Sequence, residues 1–163
     1  MSLRADPSSK AHPSLRMGEL LVSNGEAPLR TLLGSCIGLA LHSRRDGVGG
    51  LAHIVLPRSL GREGPAAKYV DTAIPELLRQ IELAGTRTTH LTAKIAGGAN
   101  MLGSEAVSTI GDQNLAMLRR LLLESRIPIV AEHCGGTRGR RMILYPNTGQ
   151  VSIEMVGGEV VEI

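Results

Sequence analysis

A chain of 163 residues, 42% of them apolar and with a formal charge of +3, is long enough for one domain with a hydrophobic core and too short for two. Phe and Trp are absent and Tyr69 and Tyr145 are the only aromatic residues, which argues against a nucleic-acid partner, because single-strand readers stack bases on aromatic side chains. No run approaches the roughly 18 consecutive apolar residues that span a bilayer, and the opening residues lack the order of a secretion signal, so the expectation is a protein not inserted in membranes, in a reducing cytoplasm where Cys36 stays a free thiol.

Residues 1–16, rich in Pro, Ser and charge, read as a disordered tail, in part of the kind expression vectors add, with the domain spanning 17–163. "MGELLVS" and "PLRTLLG" read as strands. In "CIGLALHS" the apolar Ile37, Leu39 and Leu41 alternate with Gly38, Ala40 and His42, the period of a strand with one buried face. Turn residues from Arg44 to Gly50 then lead into "GGLAHIVLP", a hairpin partner that brings His53 back towards Cys36 if the register permits. Val70, Ile74, Leu77, Ile81 and Ala84 make one helical face, with Pro75 expected in its first turn. Leu115, Leu118, Leu121 and Leu122 make a second, with Asp112 as the expected N-cap. "HLTAKIAGGAN", "IPIVAEHCGG", "RRMILYP" and "QVSIEMV" complete the strands. This order predicts an α+β fold: a single-domain sandwich of mixed, largely antiparallel β-sheet with two main helices packed outside.

The glycine-rich pieces "GSCIG" and "GGAN" lack the spacing of a dinucleotide fingerprint or a phosphate loop, so no nucleotide cofactor is expected. Cys36, Cys134, His42, His53 and His133 could supply zinc ligands, yet no pair has finger-like spacing and His133 and Cys134 alternate across a strand, so no metal is expected. Cys36 itself has two readings. A free cysteine often serves as a small buried hydrophobe. Against that, Cys36 follows Gly34 and Ser35 at the start of a strand, where backbone amides can face a developing oxyanion. A histidine could then hold the thiol as thiolate and protonate a leaving amine. His53 and His42 both compete for that role. Arg138, Arg140 and Arg141 form a basic cluster, either a solvated turn or a docking surface for an acidic partner.

Six motifs, "TLLGSCIGLAL", "GGLAHIVLP", "KYVDTAI", "KIAGGANML", "IGDQN" and "IPIVAEHCGGTRGRR", occur in the order seen in the bacterial chemoreceptor glutamine deamidases, and from Met17 to Met155 the chain resembles that family, CheD. The resemblance implies a cytoplasmic hydrolase of chemotaxis that converts receptor glutamine side chains to glutamate and ammonia through a cysteine thioester, with no cofactor. It implies Cys36 as nucleophile and His53 as general acid and base. The family's third catalytic residue is a threonine upstream of the cysteine; Thr31 is the nearby candidate, while the most direct alignment sets Arg30 there. Gly34 and Ser35 would contribute oxyanion amides, and Gly97, Gly98, Asn100, Arg138, Arg140 and Arg141 would flank a shallow site for methyl-accepting chemotaxis receptors. In the family the same surface also binds a CheC-type phosphatase, so a regulatory module that docks without chemistry is the alternative reading. His133 and Cys134 stand where the family commonly has an acidic and an apolar residue.

Overall fold

A computed structural model describes residues 14–25, 27–103 and 109–163. The expected tail lies largely outside the described residues, but its last part does not. Ser14–Leu15 form a short strand, β1, so the ordered fold begins before Met17. The remaining strands are β2 (Leu20–Ser23), β3 (Leu29–Leu33), β4 (Ile37–Ser43), β5 (Val48–Ile54), β6 (Thr92–Gly97), β7 (Ile129–Cys134), β8 (Arg140–Leu144), β9 (Val151–Met155) and β10 (Val160–Glu162); the helices are α1 (Val70–Leu83) and α2 (Ile110–Glu124). The strands form two five-stranded sheets, β1-β3-β8-β9-β10 and β2-β5-β4-β6-β7. Only the β1–β3 and β6–β7 pairs run parallel among the described strands. The architecture is the expected α+β sandwich.

Alternation along the strands sorts the core into two layers. Ile37, Leu39 and Leu41 of β4, with Ala52 and Ile54 of β5, pack against Val70, Ile74, Leu77 and Ile81 of α1 and Leu118 and Leu122 of α2. The opposite parity, Ala40 and Leu51, packs against Leu29, Leu33, Met142, Leu144, Val151 and Ile153 of the other sheet. Both helices therefore cover one sheet only, and β4, buried on both faces, is the central plank of the molecule.

Two helix expectations change in detail. Pro75 lies inside α1, past its first turn, where it withholds one backbone donor. The N-cap of α2 is Thr109, not Asp112: the Thr109 hydroxyl accepts from the Asp112 amide at 3.2 Å and the Asp112 carboxylate accepts from the Thr109 amide at 3.1 Å. Asp112 is thus the third-residue partner of a capping box, which favours an acid in the first turn just as an N-cap would. That ambiguity is why the sequence points to the wrong member of the pair.

Candidate active site

Gly34, Ser35 and Cys36 carry the chain from β3 in one sheet to β4 in the other. Cys36 is half-buried and its side chain packs on the core between the sheets. In the β4–β5 hairpin His53 pairs with Gly38, so Cys36, two residues before Gly38, is the diagonal neighbour of His53 on the same sheet face. Met142 and Leu33 of the other sheet pack directly over Gly38, where a Cβ would meet Met142 Sδ at 2.5 Å and Leu33 Cδ1 at 2.9 Å. The backbone of His53 is held from the other side, donating to Glu19 O and accepting from Gly18 N, both at 2.9 Å.

The imidazole of His53 is buried, and its Nδ1 lies 2.6 Å from Thr31 Oγ1. Thr31 Oγ1 also donates to the carbonyl of Leu15 in β1 at 2.9 Å. A hydroxyl has one proton and a carbonyl has none to give, so Thr31 must accept from Nδ1–H. The tautomer follows by elimination: Nε2 carries the lone pair. That Nε2 is buried and takes no hydrogen bond from any described residue, which leaves a bare proton acceptor on the face that holds Cys36. Burial also sets the charge states, pushing the Cys36 thiol above its ordinary value and the His53 imidazole below its own, the latter offset in part by the Glu19 carboxylate. Both groups rest neutral at pH 7.

β3 sets Thr31 and Arg30 on opposite faces. Leu29, Thr31 and Leu33 share the buried face, while Arg30 and Leu32 point the other way. Arg30 therefore faces away from His53. His42 shares parity with Cys36, but six residues along a strand is about 20 Å, and its Nε2 is bonded to Pro146 O at 2.8 Å. The two histidines that compete in the sequence are separated in space. The five possible zinc ligands are likewise dispersed, and no group of three or more His, Cys, Asp or Glu is placed to hold an ion among the described residues.

The glycine turn after β6 wraps the cysteine loop. Gly98 N donates to Cys36 O and Ala99 N to Gly34 O, both at 3.0 Å; Gly135 N and Asn100 N bond Gly97 O and Gly136 O at 2.9 and 2.8 Å. With Gly34 O turned towards Ala99, the amide of Ser35 in the same trans peptide points the opposite way. Gly97, at φ +102°, has no room for a side chain, because a Cβ there would overlap Cys36 O. Gly97→Ala is expected to lower stability by about 1–3 kcal/mol and turnover by about 100-fold through displacement of the Cys36 loop. Thermal unfolding and deamidation kinetics check both; wild-type values in the variant would mean the contact is slack. α2 braces the same end: Gly111 abuts Gly98 O, and buried Asn114 donates through Nδ2 to Val55 O at 2.9 Å, just past His53.

The basic cluster divides. Arg140 is 2% exposed, because it shares the inward parity of Met142 and Leu144 in β8. Its guanidinium donates to His133 Nδ1 at 2.8 Å and His133 O at 2.7 Å, and also to Gly135 O. Arg140 is therefore an internal clamp on the 133–139 turn and not a docking residue, a correction to the sequence expectation. Arg138 and Arg141 are exposed, but each is paired, with Glu159 at 3.3 Å and Glu154 at 3.1 Å. Gly97 and Gly98 are buried supports, whereas Asn100 lines a cavity of about 240 Å³ with Ser35, Ala99, Met101 and Leu102. Burial drives the thiol of Cys134 up to about 11, and this cysteine packs on the helix-side core, the opposite face from Cys36.

The sequence gives no sign of one contributor, the Leu15 carbonyl. A two-residue strand has no period, and a backbone carbonyl has no residue type.

Residues 55–155 match the family model described as CheD chemotactic sensory transduction, a span that begins just past His53. Over longer stretches the chain is similar to proteins named "Probable chemoreceptor glutamine deamidase CheD" from Clostridium botulinum (strain Eklund 17B / Type B), 41% identical over 88% of this chain and 91% of that one, and from Methanococcus vannielii, 38% identical over 91% and 97%. It is similar as well to "Probable chemoreceptor glutamine deamidase CheD 1" from Anaeromyxobacter dehalogenans, 36% identical over 86% and 82%. A solved hypothetical protein, YfiH of Bacillus licheniformis, superposes with a TM-score of 0.44 at 13% identity, over 72% of this chain and 49% of that one, too distant a likeness to carry inference. With identity of this level along most of its length, the chain belongs to the CheD family.

Proposed function

We propose that the protein hydrolyses the side-chain amide of chemoreceptor glutamines through a thioester on Cys36. The observation that carries the reading is the 2.6 Å bond between Thr31 Oγ1 and His53 Nδ1, which leaves the Nε2 lone pair unpartnered on the face that bears Cys36. Nε2 takes the thiol proton as sulfur bonds to the carboxamide carbon. Backbone donors of the Gly34–Cys36 turn stabilise the oxyanion. The imidazolium then gives its proton to nitrogen, the carbon–nitrogen bond breaks and ammonia leaves. Water, deprotonated by Nε2, attacks the thioester; the carbon–sulfur bond breaks, and the proton returns to sulfur. Thr31 acts throughout as a positioning residue, since it meets only the far nitrogen of the ring. Reaction on the cytoplasmic part of a receptor places the protein in the cytoplasm.

The test is incubation of a receptor cytoplasmic fragment with wild-type protein and with Cys36→Ala, read by peptide mass spectrometry and ammonia release. Deamidation by wild type alone supports the reading. Deamidation by neither overturns it in favour of a module that docks receptors or a CheC-type phosphatase without chemistry.

The neutral resting pair makes a pH prediction. The base form of His53 is required, so kcat/KM should rise with pH through a midpoint below the ordinary imidazole value of 6.5. Alkylation of Cys36 by iodoacetamide should show one step, above the ordinary thiol value of 9.0, and no reactive plateau on the acid side. Such a plateau would mean a preformed thiolate–imidazolium pair. Stability follows the same sign: as pH falls below 6.5 the unfolded chain binds a proton that folded His53 refuses, so stability drops until the folded value is passed.

A further inference from the structure

We infer that the groove between the Leu56–Arg62 loop and α2 is the docking surface for an acidic amphipathic helix of the protein substrate, an inference that rests on the deamidase reading and gives that site its recognition surface. The groove encloses about 670 Å³; its floor includes Leu56, Ile110 and Met117, its rim carries Arg58, Arg62 and Arg120, and no carboxylate lines it. Among the described residues neither Arg58 nor Arg62 is ion-paired. Arg62 is instead built into the loop: it donates to Ser59 O and Arg58 O, both at 3.0 Å, and lies 5.1 Å from the ring centre of Tyr69. Arg120 faces Glu124 across 3.6 Å at the surface.

The loop is ordered and strained. Ser59 N donates to the Asp71 carboxylate at 3.0 Å, and Leu60 is held at φ +51° with its side chain 77% exposed. A leucine fixed in the left-handed region and presented to solvent is a feature that packing of this chain does not require.

Charge and shape select the occupant. Three cations around an apolar floor, with no acid among the lining residues, complement a helix bearing glutamates beside an apolar stripe. Ile110, Gln113, Met117 and Arg120 form one ridge of α2, a surface suited to helix-on-helix packing. Strand addition is disfavoured, because the edge strands of the adjacent sheet, β2 and β7, do not border the groove. The groove also leads to the nucleophile: Ile110 lines both it and the smaller cavity that contains Ser35, the residue before Cys36. A helix seated there can direct one side chain towards the cysteine loop.

Two measurements test the surface. Binding of a chemoreceptor cytoplasmic fragment to Cys36→Ala protein, by calorimetry, is compared with binding after Arg58→Glu and Arg120→Glu are added, a pair that leaves the Arg62 loop bonds in place. Deamidation kinetics are measured with the same pair in the Cys36 background. The expected result is about a tenfold loss of affinity, a KM raised to match and an unchanged kcat. Wild-type affinity should fall between about 0.01 M and about 1 M salt, where the screening length shrinks from about 30 to about 3 Å, and that dependence should flatten in the variant. An equal alkylation rate of Cys36 in both backgrounds verifies an intact site. Unchanged affinity and salt dependence would overturn the docking surface even if deamidation is normal; wild-type binding that is lost in the variant, without deamidation by any form, would retain the surface and reject the chemistry.

Discussion

Cys36→Ala is expected to abolish deamidation, by at least about 10⁴-fold in kcat, the scale on which loss of a nucleophile acts when the groups around it work as a unit. Stability should change by less than about 1 kcal/mol, because the side chain is small and half-buried. The two readouts separate the readings open to a lone cysteine: a packing residue would cost stability and spare turnover, whereas a nucleophile does the reverse. Cys36→Ser should be nearly as inactive, since an alcohol facing a base of lowered proton affinity is a far weaker nucleophile than a thiol. Cys134→Ala, on the helix-side core, should leave turnover within about threefold of wild type and lower the melting temperature by a cavity term.

Thr31→Val is expected to lower kcat by about 10³-fold while KM changes little. Valine matches threonine in shape but offers no acceptor, so the buried Nδ1–H loses its partner at 2.6 Å and the tautomer that leaves Nε2 bare is no longer favoured. Loss of the orienting acceptor in a serine–histidine–aspartate triad costs about 10⁴-fold by the same route. Here the acceptor is neutral, and the expected loss is smaller. Thr31→Ser retains the oxygen and should keep activity within about tenfold. Nitrogen NMR of the His53 ring supplies the readout a purely structural role would not move: Nδ1–H in wild type and Thr31→Ser, and a mixed or Nε2–H form in Thr31→Val. An unchanged ring tautomer in an inactive valine variant would contradict this role for Thr31. Removing the β1 carbonyl by truncation to Met17 should act in the same direction, because the hydroxyl then loses the acceptor at 2.9 Å that turns its proton away from the ring.

The parts of the site that lie on long regular strands are legible in the sequence, and those that depend on short pieces are not. The alternation in β4 and the turn before β5 bring His53 back towards Cys36 only if the register permits, and the observed pairing of Gly38 with His53 supplies that register. Thr31 and Arg30 are harder to separate, because β3 reads Leu-Arg-Thr-Leu-Leu and Leu32, although apolar, is 60% exposed. Only the inward pair Leu29 and Leu33 reveals the parity. The arginines fail for a related reason. A run rich in Arg reads as a solvated turn, yet Arg140 keeps step with Met142 and Leu144 on the buried face, where four backbone and ring acceptors compensate its charge. The cationic groove is assembled from residues 58, 62 and 120, which no local pattern connects.

The central claim, a covalent acyl intermediate on Cys36, is tested most directly by rapid acid quench of wild-type protein mixed with excess receptor fragment, followed by intact-mass measurement. The account predicts a transient species with the summed mass of both chains less one ammonia. Its link should map to Cys36, and hydroxylamine should convert it to a receptor hydroxamate. Steady deamidation with no such species, and at an equal rate in Cys36→Ala, would contradict it.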